Sequence, residues 1–196
     1  MASAFTHAFA AVALTKTMST TKRGWRFWTL LAGSAVLPDA DVIGFPFGIN
    51  YGGLLGHRGL SHSLLFAALW SLLVVFWEFR AVARCSEQWW RLLGLFFVAT
   101  ASHGVLDAMT DGGLGVAFFS PFDTTRHFLP WRPISVSPIG VGGFFSGRGA
   151  AVMMSEIIYV WLPLAVVWSF VEMLRKWRAR ERRMCWARRP MPCLRR

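Results

Sequence analysis

Apolar residues in this chain gather into long runs, and polar residues are pushed toward the ends of those runs. Residues 63–79 are apolar apart from two serines and the closing Glu78. Residues 150–174 are apolar around an internal acid, Glu156. Residues 91–109 stay apolar for most of their length and then carry His103 and Asp107. A membrane-spanning helix needs about 20 residues, so these three segments are predicted to be long membrane helices. Two shorter runs, 4–14 and 25–37, are too short to cross comfortably and are predicted to be tilted or half-buried helices. The chain start has no charged region followed by a small-residue cleavage site, so no removable signal peptide is expected. The expected fold is all-α: an integral membrane bundle of three long and two short helices.

Composition supports lipid as the solvent. The chain has 196 residues, enough for one ordinary domain. It is 55% hydrophobic and 15% aromatic, with only 16% charged residues, against about a quarter in soluble domains. The mean hydropathy is +0.43. That apolar content excludes disorder, and three scattered cysteines do not make a disulfide framework.

The net charge of +11 looks at first like a nucleic-acid signal. Residues 175–196, however, hold ten of the 21 Lys and Arg with one acid, Glu181. Residues 1–174 are the candidate membrane domain, and residues 175–196 form a basic tail suited to anionic lipid headgroups. No stacking platform or groove-reading module accompanies the charge, so nucleic acid is not expected as a partner. Counting bases between segments orients the bundle by the positive-inside rule. Lys16, Lys22, Arg23 and Arg26, then Arg80, Arg84 and Arg91, then the tail all fall on one side, the cytoplasmic one. The same path places all five His and all five Asp toward the outer, periplasmic face, where no rule of base counting would send them. Cys85, Cys185 and Cys193 fall inside, where thiols stay reduced. Residues 111–149 are rich in Pro, Gly and aromatics and too apolar for a free linker, so they read as a cap over the outer face.

The polar residues on that face fall into dense clusters. His103 and Asp107 are spaced i, i+4 and share one helix face, where an ionisable pair in hydrocarbon is normally retained for function. Asp39 and Asp41 follow Pro38, a helix stop, and suit a loop that bends around a cation. His57 and His62 flank Arg58 and Gly59. Gly59 permits a bend that turns both imidazoles inward, and Ser61 is a natural N-cap for the helix that follows. Carboxylates with imidazoles suit zinc, manganese, iron or nickel. His7, Asp39, His57, His62, His103 and Asp107 are therefore the candidate ligands for one or two divalent ions, zinc first and manganese second. Asp41 is a further ligand or the general base, and Arg58 is placed to hold an anionic group. Asp123, His127 and Glu156 have no assigned role; Arg126, Arg132 and the His/Asp site itself are the candidate partners for Glu156. No HExxH zincin motif and no GxSxG elbow is present.

The motifs PDAD at 38–41, HRGLSHS at 57–63 and HGVLDAMTDGG at 103–113 resemble those of the LexA-regulated, membrane-bound, metal-dependent hydrolases of the inner membrane. The likeness runs from residue 1 to about 174 through His7, Pro38, Asp39, Asp41, His57, Arg58, Gly59, His62, Ser63, His103, Asp107 and Thr110. Ser61 stands where Thr is usual, which keeps the hydroxyl. The resemblance implies metal-dependent hydrolysis at the membrane. The depth of the site in the membrane makes an amphiphile, a phospholipid or other lipid-linked phosphoester, the expected substrate, and the ligand mix is similar in kind to that of zinc-dependent phospholipases C, an analogy only. The rival reading is a non-catalytic scaffold or divalent-ion carrier with a structural His/Asp cluster. A carrier needs polar groups through the whole span, and the inner halves of the long segments are apolar.

Overall fold

The computed structural model describes residues 1–138 and 147–187, which are helical with no strand among them. Helix α1 (Ala4–Met18) starts at Ser3, whose hydroxyl accepts the Thr6 N–H. Helix α2 (Trp25–Val36) follows a short basic turn. Pro38 ends the α-helical hydrogen bonding, yet the chain does not stop there: it tightens into a 3-10 helix, Leu37–Phe47, that carries Asp39 and Asp41. A loop and one 3-10 turn, Leu60–His62, lead into α3 (Leu64–Glu78). Helix α4 (Glu87–Ala108) returns beside α3, its N-terminus capped by Ser86. Helix α5 (Gly147–Glu156) passes through a π turn, Ile157–Trp161, into α6 (Leu162–Ala187). Pro163 accounts for the wide turn, since it has no N–H to donate and its ring would meet the carbonyl four residues back.

Helix α1 packs on α2, α4 and α6, α2 also on α4, and α3 on α4. One apolar cluster, around Phe27, Leu31, Val75, Leu92 and Phe96, fills the end of the bundle where α1 finishes and α4 begins. A second, with Ala2, Ala10, Leu106, Ile134 and Val160, lies toward the other end. Ala10, Ala11 and Ala13 are fully or almost fully buried, and small residues of this kind let membrane helices approach closely.

The helices sit where the hydrophobic runs place them, with different lengths. Ser63 is used as the α3 cap, which leaves 15 residues, about 22 Å of helix against the ~30 Å hydrocarbon core. Helix α4 has 22 residues, but Thr100, His103 and Asp107 make one of its faces polar. Among the described residues, the helical runs long and apolar enough to cross a membrane are Trp25–Phe47 and Gly147–Arg182. The expected long segment 63–79 is thus short, and the expected short segment 25–37 gains length from its 3-10 extension. Leu69, Leu73, Phe76 and Trp77 on α3 and Val166, Phe170 and Met173 on α6 are exposed, an apolar exterior far larger than a soluble monomer shows.

Residues 111–138 of the expected cap loop are tied to the helix ends by backbone bonds. The N–H of Leu64 reaches Phe118 O, that of Leu129 reaches Ala108 O, and that of Ala117 reaches Arg58 O. Residues 139–146 of that loop and 188–196 of the basic tail lie outside the described residues, as does Cys193, and of Cys185 only the backbone is described. The start of the tail continues α6 as helix. Cys85 is an exposed free thiol.

Candidate metal centre

Four elements deliver the His/Asp cluster to one end of the bundle. Helix α1 brings His7, the 3-10 helix brings Asp39 and Asp41, the 57–62 segment brings two histidines, and the last turns of α4 bring His103 and Asp107. His7, His57, His103 and Asp107 are wholly buried, and His62 and Asp39 nearly so. Gly104 makes the assembly possible. A Cβ at that position would lie 2.9 Å from the His62 carbonyl oxygen, so glycine lets the 3-10 turn lie against α4 beside His103.

His57, His62 and His103 are each oriented through Nδ1. The Nδ1 of His103 is 2.7 Å from the Ala35 carbonyl, so Nδ1 carries the proton and Nε2 keeps its lone pair. His57 Nδ1 is 2.7 Å from Asp41 Oδ1 in the same way. Ser61 donates to Asp41 Oδ2 at 2.6 Å and lies 2.9 Å from His62 Nδ1. The Nε2 atoms of His62 and His103 then face one another at 3.0 Å. Two neutral Nε2 lone pairs at that distance would repel, so the contact calls for either a metal ion or a proton between them.

The remaining distances agree with a shared ion. His103 Nε2 is 3.3 Å from Asp39 Oδ1, His62 Nε2 is 3.7 Å from the same oxygen, and His62 Nε2 is 3.6 Å from Asp107 Oδ2. Donor atoms on a tetrahedral zinc, with bonds of about 2.1 Å, are about 3.4 Å apart. Both Asp39 oxygens are buried without a hydrogen-bond partner, which is costly for a carboxylate unless a cation satisfies it. One ligand atom from each of Asp39, His62, His103 and Asp107 lies within 4.8 Å of all the others, and Asp41, His57 and His62 form a second such group. The side chains of Asp39, Asp41 and Asp107 against Arg58 leave a charge of −2 when the imidazoles are neutral. The donor set fits one divalent ion.

The six expected ligands are therefore gathered into one cluster, but not round one point. His7 stacks on the His103 ring at 3.6 Å with its Nε2 3.5 Å from Asp107 Oδ1. Neither of its nitrogens has a hydrogen-bond partner. His57 belongs to the Asp41 group, and its Nε2 is buried and unpartnered. Asp41 is the outer partner of two imidazoles.

Arg58 is placed differently from expectation. Its side chain is fully buried, with Nε donating to Asp107 Oδ2 at 3.0 Å, Nη1 to Gly112 O and Nη2 to Thr110 Oγ1, both at 2.8 Å. The guanidinium expected to hold an anionic group is instead engaged within the chain, fixing Asp107. Arg58 itself takes the left-handed backbone (φ 63°), so the bend assigned to Gly59 belongs to its neighbour. Gly59 is needed for space, because a Cβ there would strike the Leu54 and Gly56 carbonyls. Gly113, at φ 91°, makes room for the Arg58 guanidinium. Ser61 is not the α3 cap; Ser63 accepts the Phe66 N–H, and Ser61 serves Asp41.

Glu156 finds neither Arg126 nor Arg132. It is fully buried and accepts from Ser3 N–H, Ser3 Oγ and Thr6 Oγ1 at the head of α1. Ala2 N–H next door donates to Asp107 Oδ1 at 2.7 Å. Arg126 spans the 51–57 loop through the carbonyls of Tyr51, Gly53 and His57. Tyr51, which no sequence signal singles out, sets its ring edge-on to His57 at 5.2 Å; burial raises its phenol above the ordinary value, with Arg58 opposing. Asp123 is exposed and accepts the Thr125 N–H, and His127 lies edge-on to Phe119, so neither joins the cluster.

The family of YdjM inner membrane proteins matches residues 1–179. The chain belongs to that family. All the residues of the cluster lie within the YdjM match. Inner membrane protein YbcI of Escherichia coli (strain K12) is 42% identical over 133 residues, 66% of this chain and 73% of YbcI. No solved structure matches the chain. The inner membrane is thus the location of this YdjM-family protein, in keeping with its apolar exterior, and it carries a His/Asp cluster able to hold a metal ion.

Proposed function

We propose that the protein is a metal-dependent hydrolase of the inner membrane, acting on a phosphoester of a lipid or other amphiphile. The observation that carries this reading is the buried Asp39 carboxylate, neither oxygen of which has a hydrogen-bond partner, beside the Nε2 atoms of His62 and His103, which approach each other at 3.0 Å. Asp39, His62, His103 and Asp107 would hold the ion, with His7 beside Asp107. Zinc suits this mixed imidazole and carboxylate set, and manganese is the other choice. A bound divalent ion supplies water activation at neutral pH and neutralises charge on a phosphoester.

The chain's own residues complete the arrangement. Asp41 holds the Nδ1 proton of His57 and leaves its Nε2 free to accept a proton from water. Arg58 holds Asp107 in position, with Thr110 and Gly112 holding Arg58. The apolar surroundings, among them exposed Ile43, Phe47, Leu55 and Phe122, suit an acyl chain better than a soluble substrate. With the basic turns and tail on the cytoplasmic side, the cluster faces the periplasm. LexA control of expression follows from the resemblance to the regulated hydrolases.

Complete burial of His7, His57, His103 and Asp107 favours one second reading, an ion that pins the helices without turnover. Turnover of phospholipid in proteoliposomes, with and without chelator, separates the two. Chelator-sensitive release of a phosphorylated headgroup supports the hydrolase; bound metal with no turnover of any phosphoester supports the structural ion.

A further inference from the structure

The opposite end of the bundle carries a second polar feature, built around the turn 19–24 between α1 and α2. On one side of this turn lies a cavity of about 400 Å³ bounded by Thr20, Thr21, Arg23 and Arg91. On the other lies one of about 300 Å³, bounded by the same threonines with Lys16, Lys22 and Lys176. Nearby carboxylates are engaged: Glu78 with Arg26, Glu87 with Arg91, and Glu172 with Arg175. Among the described residues, Lys16, Lys22 and Arg23 have no carboxylate partner.

Arg23 is poised rather than satisfied. Its guanidinium lies 4.9 Å over the Phe27 ring, and its Nε is buried with no hydrogen-bond partner. Helix α2 starts beside it at Gly24 with no side-chain cap, so open backbone N–H groups add positive potential at the same place. The exposed indoles of Trp25, Trp77 and Trp90 stand at this end of their helices, as tryptophans do at a membrane interface, and exposed Trp177 adjoins Lys176 of the second cavity. A cationic, hydroxyl-lined cavity at that level meets headgroups.

We propose that the turn 19–24 is a binding site for an anionic phospholipid, its phosphate received by Arg23, by the guanidinium nitrogens of Arg91 that Glu87 does not hold, and by the Thr20 and Thr21 hydroxyls. The proposal rests on the inner membrane assignment and not on the hydrolase reading, because the site lies at the far end of the bundle from the His/Asp cluster. It predicts retention of lipid, not turnover.

The full chain in a neutral detergent is titrated with brominated phosphatidylglycerol, with brominated phosphatidylcholine, and with inorganic phosphate, and tryptophan fluorescence is read. Phosphatidylglycerol is expected to quench at concentrations about tenfold below phosphatidylcholine, the scale set by one or two interfacial cations. The double variant Arg23→Gln/Arg91→Gln should abolish that preference. Arg80→Gln/Arg84→Gln, which removes the same charge at the same end but outside both cavities, should keep it. Thr20→Val/Thr21→Val, at exposed positions that do not endanger folding, should weaken it. Equal quenching by the two lipids overturns the proposal, and so does equal loss in both arginine double variants. Displacement of the lipid by millimolar phosphate overturns the headgroup as the ligand in favour of a soluble anion.

Discussion

Replacing Gly104 by alanine tests how tightly the metal centre is built. On a helix this change alone stabilises by about 1 kcal/mol, because glycine carries the larger backbone entropy cost. Here the new Cβ would lie 2.9 Å from the His62 carbonyl oxygen and 3.2 Å from the Phe118 ring. An ordinary carbon–oxygen approach is about 3.3 Å, so the 3-10 turn must retreat by about 0.4 Å. Overpacking of this kind costs about 1–3 kcal/mol, which leaves a net loss of about 0–2 kcal/mol. For a chain of this size that is a fall in Tm of up to about 8 °C. The larger effect falls on the metal. His62 is carried by the displaced turn, and its Nε2 must keep station 3.0 Å from His103 Nε2. Gly104→Ala is therefore expected to weaken metal binding about 10–100-fold, the range seen when an orienting group is lost. Thermal unfolding followed by circular dichroism, with and without metal, and metal titration of the apoprotein measure both. A Tm at or above wild type with unchanged metal affinity would refute the close-approach reasoning.

Other perturbations separate the roles within the cluster. Asp39→Asn is expected to lose metal, whereas Asp41→Asn should retain it and lose turnover, read by elemental analysis and the liposome assay side by side. Arg58→Met leaves the buried Asp107 without its cation and should cost about 3–5 kcal/mol in chemical unfolding; Lys should not restore it, since one ammonium cannot reach Asp107, Thr110 and Gly112 together. Glu156→Ala removes the acceptor of Ser3 and Thr6 and should cost about 3 kcal/mol, with metal affinity falling because α1 carries His7.

The sequence carried the clusters and the helices more fully than their joints. Hydrophobic runs located the helical segments, and the spacing of His103 and Asp107 put both on one face of α4. Local signals failed where two candidates competed. Ser61 and Ser63 both precede α3, and only the fold decides that Ser63 caps while Ser61 turns to Asp41. Gly59 looked like the bend, yet left-handed backbone at Arg58 makes it, stabilised by long-range bonds to Asp107 and Thr110 that no local pattern encodes. Pro38 reads as a stop, and the 3-10 continuation that lengthens this segment packs on α2, on the Leu60–His62 turn and on α4, contacts beyond any local pattern. Glu156 could not be paired from sequence, because its partners lie about 150 residues away at Ser3 and Thr6.

The most direct measurement is the metal content of the purified full chain by elemental analysis, set beside His103→Ala and Asp107→Ala. The expected result is about one divalent ion per wild-type chain, the number that the charge of −2 calls for, and none in either variant although both remain helical. Metal-free wild-type protein that stays folded and does not take up zinc or manganese would contradict the assignment of the buried His/Asp cluster as a metal centre.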